Sequence, residues 1–429
     1  MRLIIIHIMV DYLVLIHRNI TANLLEALSD TPVVMVTGAR QSGKSTLVQS
    51  EELEGRQYLT FDDVGVLAAA KADPIGFLAG LRPKVTLDEI QHVPELFQSI
   101  KLAVDRDRQP GRFLLTGSAN IMVLPNLSES LAGRMELLTL WPFSLGEIQG
   151  NRETFIDNLF SSKPIWPTLK KGALSKRSAI IELMLAGGYP SALARQSRGR
   201  RKAWFESYLT TILQRDVRDL SNIDDLSAVP RLLSVVASRA GGLLNYAELS
   251  RTLGLPQTTL KRYFALLEMT FLVQLLRPWS GNVGQRSIRT PKVYLNDTGL
   301  LAHLLALSPE RLETDPSLVG GLAENFVMME LVKQSAWSET TPKIFFWRTA
   351  SGREVDIVLE DNAGRIVGLE VKAAATLSAN DTAGLRVLAA EVGKKWIRGI
   401  VLYTGLEVIP FANNLHGVPM QALWQPIGG

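Results

Sequence analysis

The chain has 429 residues, 46% of them hydrophobic and 21% charged, which supplies enough apolar material for several buried cores. At roughly 150 residues per domain, that length suggests about three domains. A formal net charge of +4 permits nucleic-acid contact without arguing for it, while the absence of cysteine excludes disulfides and thiolate zinc sites, and five scattered histidines form no metal-binding cluster.

The N-terminal run Met1–Ile16 is apolar but is broken by His7 and Asp11. It is shorter than the roughly 20 residues a membrane span requires. No small-residue cleavage site follows, so a signal peptide is not expected, and Met9 is an alternative start. The expectation is a soluble, cytoplasmic chain with no membrane partner, whose first residues pack as a strand or helix.

Thr21–Leu28 predicts a short amphipathic helix feeding a strand at Val33–Val36. The eight residues Gly38-Ala39-Arg40-Gln41-Ser42-Gly43-Lys44-Ser45, followed by Thr46, fit G-x-x-x-x-G-K-[ST] between that strand and a helix expected over Lys44–Glu52. Each part has a physical task. Gly38 and Gly43 permit a backbone whose N–H groups point inward at phosphate oxygens. Lys44 brings a positive charge to the β- and γ-phosphates of ATP, and the Ser45 hydroxyl can ligate Mg²⁺. The helix adds the positive end of its dipole.

Arg56–Phe61 predicts a second strand, ending at the acidic pair Asp62-Asp63. Lys84-Val85-Thr86-Leu87-Asp88-Glu89 is a β-rich run closed by two acids. Asp88 is expected to hold the Mg²⁺ and its water shell, with Glu89 polarising the attacking water as general base. Neighbouring side chains at a strand end diverge, so the two acids can serve different partners. Arg112–Thr116 is the next expected strand, and Thr116, Ser118 or Asn120 at its tip would sit between the acids and the γ-phosphate, unless these residues simply form the turn. Arg134, after Gly133, reads either as an arginine finger acting in cis or from a neighbouring subunit, or as a plain basic residue at a helix end.

Residues 151–230 are helical and chemically quiet; Arg198, Arg200, Arg201 and Lys202 form a basic cluster that reads as a solvated face, with a phosphate-contacting patch as the alternative. Asn245–Leu255 then predicts a capped helix ending at Gly254, and a second helix opens at Pro256 and runs to about Glu268. This is a helix-turn-helix pattern. Gln257, Thr258, Lys261 and Arg262 fall where a recognition helix meets a DNA groove, and Leu272–Leu276 reads as a wing strand. Such modules also serve as structural or protein-binding parts, so a protein partner stays open beside double-stranded DNA. Lys292–Leu295 is a further strand, and Asp297 or Thr298 caps the helix after it.

The last third holds a second constellation. Glu324 lies on a helix over Gly321–Lys333, Asp356 on a strand over Arg353–Leu359, and Glu370 and Lys372 on a strand over Gly368–Lys372. The spacing from Asp356 to Glu370 suits neighbouring strands of a hairpin, and Glu370 and Lys372 share a face. Acids so placed can hold Mg²⁺ while the lysine orients water; ordinary strand-end charges are the alternative.

The segments GARQSGKS, TLDEIQ, LLTGSAN, SLAGR, TILQRDV, KVYLNDTGLL and REVDIVL…LEVKAA together resemble the bacterial and archaeal AAA-type ATPases with a C-terminal domain related to restriction endonucleases. The resemblance runs from about residue 18 to the end and implies an α/β chain in four parts. These are a P-loop AAA-like ATPase domain over 1–150, a helical lid or linker over 151–230, a winged helix-turn-helix over 231–290, and a nuclease-like domain over 291–429. The tail resembles the PD-(D/E)xK pattern, with Asp356, Glu370 and Lys372 matching and Val355 in place of the proline. The expected activity is Mg²⁺-dependent ATP hydrolysis coupled to DNA binding, with Mg²⁺-dependent DNA cleavage by the tail. The alternatives are a nucleotide switch with a silent nuclease-like fold and, more remotely, a small-molecule kinase. A finger at Arg134 acting in trans would require a homo-oligomer.

Overall fold

Strands β1 (Val33–Thr37), β2 (Gln57–Thr60), β3 (Val85–Asp88), β4 (Phe113–Gly117) and β5 (Met135–Thr139) form one parallel sheet in the order β2-β3-β4-β1-β5. The structure, a computed structural model, describes residues 16–118, 131–164, 166, 177–216, 228–286 and 290–425; the apolar run before Ile16, with Met9, and Asn120 lie outside them. β1 is buried at every position, as a central parallel strand covered on both faces should be. Val33 and Met35 face Leu87, Phe97, Ile100 and Leu115, whereas Val34 and Val36 face Leu24, Leu47, Leu114 and Trp337. Because every strand points the same way, Thr37, Asp88 and Gly117 end on one edge of the sheet. β4 stands between β1 and β3, so its tip lies beside both the glycine loop and the acids. Ligands of open α/β sheets bind outside that carboxyl edge.

The helix after the glycine loop is shorter than its sequence pattern suggests. It covers Lys44–Val48 and gives way to a 3-10 turn at Glu51–Leu53.

In the middle of the chain, helix Tyr246–Leu253 is capped by Asn245 Oδ1, which accepts from Ala247 and Glu248 N–H at 3.1 Å each. It stops at Gly254, whose φ of 70° ends the helix at low steric cost, and helix Gln257–Met269 follows. Strand β6 (Val273–Leu276) then pairs antiparallel with β7 (Lys292–Leu295). β7, expected to open the C-terminal domain, thus pairs with the strand that follows these two helices. Its other edge is also occupied: Gly241 N–H donates to Val293 O at 2.8 Å and Val293 N–H to Gly242 O at 3.0 Å.

β8 (Lys343–Arg348), β9 (Glu354–Glu360), β10 (Ile366–Lys372), β11 (Trp396–Tyr403), β12 (Ile409–Ala412) and β13 (Leu415–Pro419) form a mixed sheet ordered β12-β13-β11-β10-β9-β8. One face packs Val355, Val358, Ile366 and Val401 against Leu385 and Leu388 of helix Ala383–Val392. The other carries Ile357, Leu359, Val367 and Leu369, which share a core with Leu322, Phe326 and Leu331 of the long helix Ser317–Ser335. Just beyond that helix, Trp337 enters the core of the first sheet, so one element touches both sheets. Among the described residues no helix is long and apolar enough to cross a membrane.

Candidate functional site

The glycine loop is held open by backbone conformations that side chains resist. Gly38 has φ 151° and Gly43 φ 99°, and a Cβ on Gly38 would stand 2.1 Å from the Leu140 carbonyl oxygen. Lys44 is buried, and its ammonium donates to the Gly38 and Ala39 carbonyls at 3.0 Å each. The buried Ser42 hydroxyl has no hydrogen-bond partner among the described residues. Arg40 and Gln41 complete the turn, Gln41 with φ 60°.

Asp88 lies directly across from the loop. Ser45 Oγ donates to its two carboxylate oxygens at 3.2 and 3.1 Å. Tyr58 OH donates to Oδ2 at 2.7 Å, and the Thr116 hydroxyl donates to Oδ1. Burial, then Asp88, pushes the Tyr58 phenol well above its ordinary range, so it stays a donor. Glu89 sits in the left-handed region (φ 57°, ψ 46°), a strained setting for a non-glycine residue that turns its carboxylate away from Asp88. Its N–H donates to Thr116 Oγ1 at 3.0 Å. Its carboxylate accepts from Ser118 Oγ at 2.8 and 3.0 Å and from Gln91 Nε2. Burial alone would raise the Glu89 pKa, but the Lys44 charge, the Gln91 and Ser118 hydrogen bonds and the Arg40 charge outweigh it and hold it below the ordinary range. Glu89 is therefore an anion beside the loop, the form a general base needs.

The donor set suits a nucleotide with Mg²⁺. A hydroxyl and a carboxylate side by side are hard oxygen ligands, and the loop offers a lysine and a buried, unpartnered hydroxyl. Thr116 and Ser118 both stand at the tip of β4, and each holds one of the two acids.

Arg134 does not join this group. It precedes β5, and because β5 runs parallel to β1 its first residue lies at the opposite edge of the sheet from the loop. There its carbonyl accepts from Val33 N–H at 3.3 Å and its guanidinium pairs with Asp105 at 2.5 Å. Its place rules out a finger acting on the loop of its own chain. Arg198 is likewise occupied, paired with Glu182 and, at 3.2 Å, with Glu310.

Arg18, which the sequence did not single out, is tied to the loop instead. Buried against Phe143 at 4.6 Å from the ring centroid, it donates to Ser42 O at 2.9 Å, Trp141 O at 2.7 Å and Glu147 Oε1 at 3.0 Å. Glu147 also closes a capping box with Ser144 on helix Leu145–Gln149. The N-terminus of that helix meets the long helix: Leu145 N–H donates to Glu330 Oε2 at 2.9 Å, and Lys333 Nζ to Phe143 O at 3.0 Å. Lys333 and Glu330 pair at 2.7 Å. A continuous polar path thus joins the glycine loop to the helix that carries Glu324.

At the second constellation, the Leu369–Ile357 register puts Glu370 and Asp356 at adjoining steps of β10 and β9. Val371 N–H donates to Asp356 Oδ2 at 2.9 Å, and Lys372 Nζ approaches Glu370 at 3.4 Å. Glu324 is brought to the same place, and two further residues join it: Glu354 and Lys292. The Lys292 ammonium lies 2.9 Å from Glu324 Oε1 and 3.7 Å from Asp356 Oδ1, and it contacts Glu354 directly. Burial alone would lower the Lys292 pKa, but Glu324, Asp356 and Glu354 outweigh it and raise it. Burial, then Asp356, pushes both Glu324 and Glu370 upward, against the lysines. Asp297, fully buried, caps helix Thr298–Leu304 through Leu300 N–H at 2.9 Å and accepts from Gly188 N–H at 2.7 Å. Its role is to cap.

Three family profiles match consecutive stretches: an AAA domain over residues 30–149, the domain of unknown function DUF8612 over 177–311, and the domain of unknown function DUF4143 over 319–423. The uncharacterized proteins Rv2008c of Mycobacterium tuberculosis and Mb2031c of Mycobacterium bovis are each 34% identical over 406 residues, covering 94% of this chain and 83% of theirs. Among solved structures, the Walker-type ATPase PABY2304 of Pyrococcus abyssi is 15% identical, covering 68% of this chain and 96% of its own at a TM-score of 0.43. The Holliday junction branch migration motor RuvB of Thermotoga maritima is 21% identical, covering 60% and 88% at a TM-score of 0.29. With this identity over nearly its whole length and an AAA profile spanning the glycine loop and both acids, the chain belongs to the family of the mycobacterial proteins Rv2008c and Mb2031c and carries an AAA-type P-loop ATPase domain.

Proposed function

We propose that this chain is a Mg²⁺-dependent ATP hydrolase whose nucleotide state reaches its C-terminal half through Arg18 and the long helix. The observation that carries the reading is the Glu89 carboxylate, which accepts from Ser118 Oγ at 2.8 and 3.0 Å and from Gln91 Nε2 and is kept ionised beside the loop by the Lys44 charge and these hydrogen bonds. Lys44 and the loop amides bind and orient the phosphates, Ser45 and Asp88 hold Mg²⁺, and Glu89 takes a proton from water. The bound ion supplies charge neutralisation on the phosphate oxygens. Phosphate release measured without any acceptor tests this. Lys44→Ala abolishes it, and Glu89→Gln lowers it by roughly 10²–10⁴-fold, the usual worth of a general base, with ATP binding retained. Unchanged turnover in Glu89→Gln removes Glu89 from the role, and ADP formed only with an acceptor, the phosphoryl group ending on that acceptor and no inorganic phosphate released, makes the chain a kinase.

The output side of the proposal is double-stranded DNA bound by helix Gln257–Met269. Gln257, Thr258, Lys261 and Arg262 are all exposed on it, with Leu260, Phe264 and Leu267 buried behind. For the C-terminal domain, the second reading has a specific observation in its favour: with Lys292 seated among its acids, that domain serves as a binding module and not as a nuclease.

A further inference from the structure

The acids that resemble a nuclease metal site do not fit a metal. Lys292 reaches them from β7, and only 3% of its side chain is exposed. β7 is fixed on both edges, by β6 and by residues 241–243, so the ammonium is delivered from a pinned backbone. The Phe346 ring, 5.6 Å from Nζ, closes the site further. We infer that Lys292 holds the place of a divalent ion in the C-terminal domain: its ammonium is the cation bound by Glu324, Glu354 and Asp356, and Mg²⁺ or Mn²⁺ does not bind there.

Other donors from the chain reach the same four acids. Tyr294 OH donates to Glu324 Oε1 at 2.7 Å, Val371 N–H to Asp356 Oδ2 at 2.9 Å, Arg348 to Glu354 Oε2 at 3.0 Å and Lys372 to Glu370 Oε2. Each acid has a donor from the chain itself, and the four carboxylates face three cations, of which Lys292 is the buried one. A divalent ion entering here would have to displace these donors and tolerate an ammonium in its own coordination shell. Among the described residues, no three acids or histidines are arranged to hold a metal. The consequence is architectural: Lys292 uses the would-be metal ligands to fasten the helix-turn-helix unit to the C-terminal sheet.

Mn²⁺ binding to the full, nucleotide-free chain, followed by electron paramagnetic resonance, tests this. Wild type and Asp356→Asn should bind the same amount of Mn²⁺, because the cluster contributes none. Lys292→Met should gain one ion per chain, and adding Asp356→Asn should remove it again. Loss of a Mn²⁺ ion in Asp356→Asn alone overturns the inference, since the cluster would then bind metal with Lys292 in place. A folded Lys292→Met chain that gains no ion overturns it too. Should Lys292→Met not fold, the comparison of wild type with Asp356→Asn still decides.

Discussion

Arg18 donates to the Ser42 carbonyl at 2.9 Å while its Nε pairs with Glu147 at 3.0 Å, so one buried guanidinium joins the glycine loop to the segment that meets the long helix. Removing it leaves a buried carboxylate without its cation. Arg18→Ala should therefore destabilise the chain by about 3–5 kcal/mol, the usual cost of breaking a buried pair. It should also weaken ATP binding, because the loop loses a fixed carbonyl. Arg18→Lys restores charge but not the three-way geometry, so only part of the thermal stability returns. Thermal unfolding and nucleotide titration on the same samples check both effects.

Ser118 orients the base. Ser118→Ala removes a hydrogen bond to a charged group worth about 1.5–3 kcal/mol in stability terms, only a part of which is specific to the transition state. Turnover should fall by about tenfold with KM for ATP unchanged. A rise in KM at constant kcat would place Ser118 in binding instead.

Glu153 sets a pH dependence. Burial, then the Glu330 charge, pushes it from 4.5 up to about 8, against its hydrogen bond with Ser144. The folded chain keeps this proton where the unfolded chain has lost it. Its contribution to stability is thus complete below about pH 4.5 and is lost as pH rises through about 8. The apparent Tm should fall between about pH 5 and pH 8, and Glu153→Gln should flatten that slope.

Lys261 and Arg262 sit on the exposed face of their helix. If DNA is the partner, Lys261→Ala and Arg262→Ala should each weaken duplex binding and lower the salt slope by roughly 0.9 per lost phosphate contact. Fluorescence anisotropy against salt measures this. Stimulation of ATP turnover by duplex DNA, lost in the double variant, would join the two halves of the chain.

The glycine loop, Asp88-Glu89 and the Asp356–Glu370 pair were legible because each depends on local pattern: a strand feeding a loop, or two strands of one hairpin. Arg18, Tyr58, Glu354 and Lys292 were not. Arg18 meets Glu147 across 129 positions, and Tyr58 meets Asp88 across 30, distances at which no periodicity speaks. The position of Arg134 in the sheet is hidden for a related reason. The glycine before it marks a turn, but only the direction of β5 decides which edge of the sheet that turn occupies. Lys292 opens a strand whose pairing with β6 and contact with β9 no local pattern shows, so its charge has no visible counterpart in the sequence.

The long helix has a practical consequence. Trp337 fills the face formed by Leu24, Val34 and Leu114, and Glu330 and Lys333 bond to the backbone beside the glycine loop. A chain cut before Ser317 would leave that face wet and those groups unmatched. The N-terminal half cut out in this way should therefore unfold at a lower temperature than the full chain.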